Sequence, residues 1–433
     1  MANIIIAAVP IYGHVAPMRA IAVDLIRRGH KVTFITGTLF RDAVDEPGMD
    51  FIPLTGLADY DITKIDELWP ARASIPPGPQ RFDFDLQVFV DGMPYQHEAL
   101  QDALAKAGDE PTVVLYDTMF FGAAPILLGA PGIRPAGVVG VGVVPLMITS
   151  VDTAPFGMGA PPDSSEEGRA RNSETNAMVA AQVFKDSQSH LVDTLRGLGA
   201  TEQPPFILDS AVSLPDRFLQ LAVPSLEYPR SDAPAGLRYV GGLTDTGSRS
   251  SRPLPTWWDD VLAADKVVVV SQGTVGNVDF TQLVEPTLRA LADLDVLVIA
   301  TLGREATLTD VPANARVAEF IPFDQLLPHV DVLVSNGGYG GVQQALSYGV
   351  PMVLAGLSED KAEVTARTAW TGAAINLATE RPEEGRIREA VEKILSTPSF
   401  RQHTRRLQDE YAAYDPFTAI DATIAELVGD SRS

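Results

Sequence analysis

Cysteine is absent from all 433 residues of this chain. That excludes disulfides, a thiol nucleophile and a zinc–thiolate centre, and it fits a reducing cytosol. Basic residues are scarce: 33 Lys and Arg stand against 56 Asp and Glu, a formal net charge of −23. A field of that sign repels nucleic acid and anionic membranes, so neither is expected as a partner. Long apolar runs are missing too. The longest, Ala136 to Ile148, carries three glycines and a proline and is too short to span a bilayer. The opening MANIIIAAVP has no basic segment and leads straight into a strand pattern, so no signal peptide is expected.

What is present is a globular composition, 45% hydrophobic and 21% charged. The length implies two domains of about 200 residues each. One stretch stands out, DVLVSNGGYGGVQQALSYGVPMVLAGLSEDK, residues 331–361. Val332 to Val334 read as a buried parallel strand. Gly337, Gly338, Gly340 and Gly341, four glycines in five positions, follow where the period changes from strand to helix. The spacing predicts a helix from about Val342 to Ser347, ended by Gly349, then a second strand over Pro351 to Leu354. Strand, glycine turn and helix N-terminus together suit an anion, because the first helical N–H groups lack partners and glycine lets phosphate oxygens approach. No Gly-Lys-Ser/Thr follows, so this is not a P-loop.

Each half opens with a strand. In the first, Asn3 to Val9 is a strand, Pro10 to His14 a loop, and Val15-Ala16-Pro17 opens a helix that stops at Gly29. Residues 45–82, with several prolines, read as mobile surface loops and a candidate lid. A helix over Asp85 to Ala107 and strands over Thr112 to Tyr116 and Gly137 to Val144 follow. Residues 244–255, rich in Ser, Arg, Pro and Gly, are the best linker. The second half starts with a strand over Lys266 to Ser271 and the turn Gln272-Gly273-Thr274. Terminal helices are expected over Pro382 to Leu395, Ser399 to Tyr414 and Ala419 to Leu427. Two α/β halves imply facing Rossmann-like domains with a cleft between them.

His14 lies at the ligand edge of the first strand, where a neutral imidazole suits proton abstraction from a hydroxyl. A histidine satisfied by its own surroundings is the alternative, and the residues alone leave both open. Asp117 ends a strand of the same half; it is either a helix N-cap or, if it meets His14, the carboxylate that orients the ring. Asp59-Tyr60-Asp61 and Asp83-Phe84-Asp85 spell a metal-binding Asp-x-Asp, but both lie in irregular sequence, so no metal is expected. Gly273 and Thr274 fit a phosphate contact and a plain turn equally. Asp360-Lys361 alone reads as a solvated loop.

Together these motifs resemble the family 1 glycosyltransferases of the GT-B fold, in the macrolide and antibiotic branch. The resemblance covers nearly the whole chain. It rests on Gly13-His14-Val15-Ala16-Pro17, Ser271-Gln272-Gly273-Thr274, FIPFDQLLPHVDVLVSNGGYGG at 320–341, Gly349-Val350-Pro351 and Glu359-Asp360-Lys361. It implies an N-terminal acceptor domain (1–243), a linker (244–256), a C-terminal nucleotide-sugar domain (257–415), and a last helix and tail (416–433) packing back on the N-terminal domain.

By the same resemblance, His14 is the general base and Asp117 its charge partner. Gly273, Thr274, Asn336, Gly337, Gly338, Gly340 and Gly341 hold the donor diphosphate. Phe320, Ile321, Phe323 and Gln344 take the nucleoside, and Asp360 and Lys361 the donor sugar. From position, Phe82, Phe84, Phe89, Met119, Phe120, Phe121 and Met147 are expected around the acceptor. The implied reaction is inverting and metal-independent, with no cofactor. A sugar passes from a UDP- or dTDP-sugar to a hydroxyl of a small apolar natural product such as a macrolide, polyketide or flavonoid. A cytoplasmic protein is implied, and a homodimer is left open. The donor motif is an Asn-Gly-Gly variant: Asn336 replaces the usual His, Gly341 a Ser, Gln344 the ribose Glu and Lys361 a Gln. A neutral Gln344 bonds hydroxyls more weakly than a carboxylate. Two rivals share the architecture. A sugar-nucleotide epimerase needs an acidic and arginine set that is not evident, and an auxiliary protein partnering a transferase has no need of His14 and Asp117.

Overall fold

The computed structural model describes residues 2–76, 78–244, 253–273 and 279–430. Two parallel sheets carry the chain. The first comprises β1 (Asn3–Ala7), β2 (Lys31–Thr36), β3 (Met49–Pro53), β4 (Thr112–Asp117), β5 (Gly137–Gly142), β6 (Arg217–Gln220) and β7 (Leu237–Tyr239). Its spatial order is β3-β2-β1-β4-β5-β6-β7. The second comprises β8 (Val267–Ser271), β9 (Leu297–Thr301), β10 (Ala315–Ala318), β11 (Val332–Ser335), β12 (Met352–Leu354) and β13 (Ala374–Asn376), in the order β10-β9-β8-β11-β12-β13.

Burial on both faces explains the continuous apolar strands. Successive side chains point to opposite faces of a strand. Accordingly Ile5 and Ala7 join one core layer while Ile4 and Ile6 join the layer beneath. Val267 and Val269 likewise part from Val268 and Val270. In each sheet the order reverses direction beside its first strand, between β1 and β4 and between β8 and β11. Those reversals open the crevices where ligands of such sheets bind.

The last helix, Pro416–Asp430, returns to the first sheet. Ile420, Ile424 and Leu427 share one helical face and lie in the same core layer as Ile4 and Ile6. Gly137 makes room for this packing, since a Cβ there would come within 2.8 Å of Leu427. Arg238 pairs with Glu426 at 2.8 Å, and His30 with Asp421 at 2.9 Å. No helix among the described residues is long and apolar enough to cross a membrane.

Several boundaries differ from expectation. The first helix runs Tyr12–Arg27, so His14 sits in its first turn and not in a loop, and Pro17 lies inside the helix. Ile11 is extended and its carbonyl takes the N–H groups of His14 and Val15, which starts the helix early. The glycine-turn helix likewise runs Tyr339–Ser347, which puts Gly340 and Gly341 in its first turn. Residues 45–82 are not open loop. They include the edge strand β3, whose Pro53 sits where a missing N–H is tolerated, and short helical turns. The helix after them starts at Pro79, with proline in its first turn, and runs to Ala107. The helix Lys361–Trp370 and strand β13 were not expected. Residues 245–252 of the expected linker, and Thr274, lie outside the described residues.

Ile424, 1% exposed, tests the returning helix. Ile424→Ala is expected to cost about 2–5 kcal/mol, because it leaves a cavity between helix and sheet. Denaturant unfolding measures this, and a loss within about 0.5 kcal/mol would show the helix to be peripheral.

Candidate active site

β1 and β4 are neighbours, with Ala7 opposite Tyr116, so Asp117 emerges beside the turn that leads into the His14 helix. Asp117 is fully buried. Its Oδ2 accepts the Val9 N–H at 2.7 Å and its Oδ1 the Met119 N–H at 2.8 Å. His14 Nδ1 lies 2.7 Å from Asp117 Oδ1. Only a protonated Nδ1 satisfies that carboxylate, so the neutral ring carries its lone pair on Nε2. A buried carboxylate with three donors is a fixed anchor, and it holds the ring in one tautomer and one orientation.

Across the cleft, the turns after β8 and β11 are tied together. Asn336 Nδ2 donates to the Gln272 carbonyl at 2.7 Å, and Gly273 (φ +75°) lies beside it. Gly337 is in the left-handed region (φ +83°), and a Cβ there would meet Thr365 Cγ2 at 2.5 Å, so only glycine fits. At Gly338, Gly340 and Gly341 a Cβ would meet nothing within 4 Å. These three glycines border open space. The helix beginning at Tyr339 has no side-chain cap and no acidic residue in its first turn. Its first N–H groups therefore offer a positive, unpartnered end to an anion.

The other donor-side residues differ in exposure. Phe320 is 41% exposed, whereas Ile321 is in the core beneath it and Phe323 packs partly buried on the same core. Gln344 is partly buried on the glycine-turn helix. Asp360 precedes the helix Lys361–Trp370. Burial pushes its carboxyl up to about 6 against the opposing pull of Lys361 and, from the other domain, of His14. Lys361 pairs with Glu359, a residue held at φ +57°. Burial disfavours the Lys361 charge, but Glu359 and Asp360 outweigh it and hold its pKa above the ordinary value.

On the acceptor side, Phe82 and Phe89 are partly buried against the core, and Phe84 is partly buried on the same helix. Met119, Phe120, Phe121 and Met147 are 6% exposed or less and serve the core itself. One cavity in this domain is lined by Ile148, Phe156, Phe184 and Phe206, among others. Phe82 packs on both Phe156 and Phe184, with ring centroids 6.0 and 5.6 Å away. The three phenylalanines Phe156, Phe184 and Phe206 did not stand out in the sequence, because Phe156 sits in a Pro/Gly loop and the others join helices.

The two Asp-x-Asp spellings serve structure. Asp59 accepts from Thr38, Asp61 from Thr63, Asp83 from Ser187 and Asp85 from Arg72. Tyr339, first in the glycine-turn helix, reaches into the other domain. Its hydroxyl accepts from Gln220 Nε2 at 3.0 Å and donates to Glu227 Oε1 at 3.3 Å. The glycine turn is thus fastened to the domain that carries His14.

Residues 285–427 match the family described as erythromycin biosynthesis protein CIII-like, C-terminal domain. UDP-glycosyltransferase 2 of Phaeomoniella chlamydospora is 49% identical, over 98% of this chain and 95% of its own. The 4'-demethylrebeccamycin synthase of Lentzea aerocolonigenes is 39% identical over 96% of each chain. Among solved structures, the glycotransferase of kitacinnamycin superposes with a TM-score of 0.73 over 98% of both chains, at 22% identity. The chain belongs to the family 1 glycosyltransferases of the GT-B fold. It is an enzyme that moves sugar from a nucleotide-sugar donor to a small-molecule acceptor.

The raised Asp360 carboxyl has a consequence for stability. The folded state keeps that proton up to about pH 6, whereas the unfolded chain releases it near the ordinary value of 3.8. Stability contributed by this group therefore falls as pH rises from about 4 to about 6. Asp360→Asn is expected to raise Tm at pH 7 by about 2–4 °C or more and to leave it unchanged at pH 4. Thermal melts at the two pH values check this; equal effects at both would contradict the burial argument.

Proposed function

We propose that this glycosyltransferase inverts configuration without a metal, and that His14 is its general base. The acceptor hydroxyl lies at His14 Nε2 and gives up its proton there, while Asp117 stabilises the resulting imidazolium. The acceptor oxygen attacks the anomeric carbon from the face opposite the diphosphate. The bond from that carbon to the diphosphate oxygen breaks as the new one forms. The leaving diphosphate gains charge, and the N–H groups from Gly338 to Gly341, with Gly273, receive it in place of a cation.

The observation that carries this reading is the 2.7 Å contact between His14 Nδ1 and buried Asp117, which leaves the Nε2 lone pair free to accept a proton. The open space over Gly338, Gly340 and Gly341 supports the diphosphate assignment. Exposed Phe320 and partly buried Gln344 would meet the nucleoside, with Ile321 and Phe323 supporting the Phe320 turn from the core. Asp360 and Lys361 would meet the sugar hydroxyls. In this reading residues 1–243 bind the acceptor and residues 257–415 the donor. The name of the Phaeomoniella relative favours UDP over dTDP as the nucleotide. The name of the Lentzea relative favours a natural product as acceptor. An intact His14–Asp117 pair weighs against a role as a silent auxiliary protein.

His14→Ala is expected to lower kcat/KM for transfer by about 100- to 10,000-fold while the protein still binds UDP or dTDP. Transfer to a panel of phenolic and aliphatic hydroxyl acceptors, followed by mass spectrometry in the presence of a chelator, measures it. Undiminished product from the variant would remove His14 as the base, and loss of wild-type transfer on chelation would remove the metal-independent assignment.

A further inference from the structure

The helix that follows Asp360 does more than end the donor-sugar motif. Glu363, in its first turn, is 4% exposed, and its Oε1 accepts two N–H groups from the other domain. They come from Gly157 at 2.9 Å and Gly159 at 3.0 Å. Both glycines are left-handed, at φ +94° and +59°. A Cβ on Gly159 would stand 3.1 Å from the Ala362 carbonyl, so the loop lies directly against the helix. One turn later, Arg367 holds the other oxygen of Glu363 with Nε at 3.2 Å and Nη2 at 3.0 Å. Its Nη2 also donates to the Leu146 carbonyl at 3.1 Å, and its Nη1 pairs with Glu227.

The loop so held carries Phe156. That ring packs on Phe82, lies 5.8 Å from the Arg367 guanidinium carbon, and lines two cavities. One cavity is apolar, bounded also by Phe184 and Phe206. The other is bounded by Tyr228, Arg230, Glu363 and Arg367, so donor-domain side chains form part of an acceptor-domain cavity. We propose that Glu363 and Arg367 are positioning residues for acceptor choice: from the donor domain they hold the loop that bears Phe156 and so fix one wall of the acceptor site. This rests on the proposed reading that residues 1–243 bind the acceptor, which we place beside that loop.

Glu363→Gln keeps the side chain's shape but removes the charge that both Arg367 and the two loop N–H groups use. The full-length variant is expected to raise acceptor KM about tenfold and to shift preference toward bulkier acceptors. Calorimetric affinity for UDP and dTDP is expected to stay within about twofold. Phe156→Leu leaves the ion pairs intact and is expected to change the acceptor ranking in the same direction, which covers an unfolded Glu363→Gln. Transfer with an unchanged acceptor ranking in the folded variants overturns this inference alone. Absence of transfer by the unmodified protein overturns it together with the sugar-transfer mechanism.

Discussion

A parallel sheet whose strand order reverses leaves a crevice at the carboxyl ends of its two middle strands. This chain has two such crevices, and the carboxylate-held histidine and the glycine turn come one from each. From the first come His14 and Asp117, from the second Gly273, Asn336 and the glycine turn. The polarity of the strands makes the two sides complementary. One presents a carboxylate-held imidazole, the other the unpartnered N–H groups of a helix start.

The two crevices are kept in register by buried polar contacts. Glu227, Arg230, Glu363 and Arg367 are almost fully buried where the domains meet. Removing ions from water is costly, and such a cluster is weak evidence for stability. Its value lies in geometry: each carboxylate and guanidinium has a defined partner, so a sliding of one domain on the other strands a buried charge. Burial and Arg367 press the Arg230 guanidinium below its ordinary pKa, whereas Glu227 and Glu363 overcome burial to hold that of Arg367 above its own. Tyr339 adds a neutral tie from the anion turn itself. The returning helix Pro416–Asp430 closes the arrangement from behind.

What could be read from sequence followed from local rules. The apolar runs at Ile4–Ile6 and Val267–Val270 announce two-sided burial, and the glycines at 337–341 announce a turn with a bare helix end. Helix starts were misplaced at Tyr12 and Tyr339 because no Ser, Thr, Asp or Asn caps them; an extended Ile11 or Gly338 does so by backbone alone. The strand β3 was hidden by Pro53 at its end, which an edge position tolerates. The apolar cavity was hidden for a different reason. Phe156, Phe184 and Phe206 come together only through the fold, and nothing in their neighbours marks them. Glu363 carried no signal in its own neighbourhood, because its partners lie over 200 positions away at Gly157 and Gly159.

If base and anion turn act from opposite sides of the reacting carbon, the stereochemistry of transfer records it. The most direct measurement is the anomeric proton coupling in the NMR spectrum of the product made from an α-linked UDP-sugar. A β-linked product is the outcome this geometry predicts. Retention of the α-linkage would contradict it, because His14 and the glycine turn could not then be acting on opposite faces of one carbon.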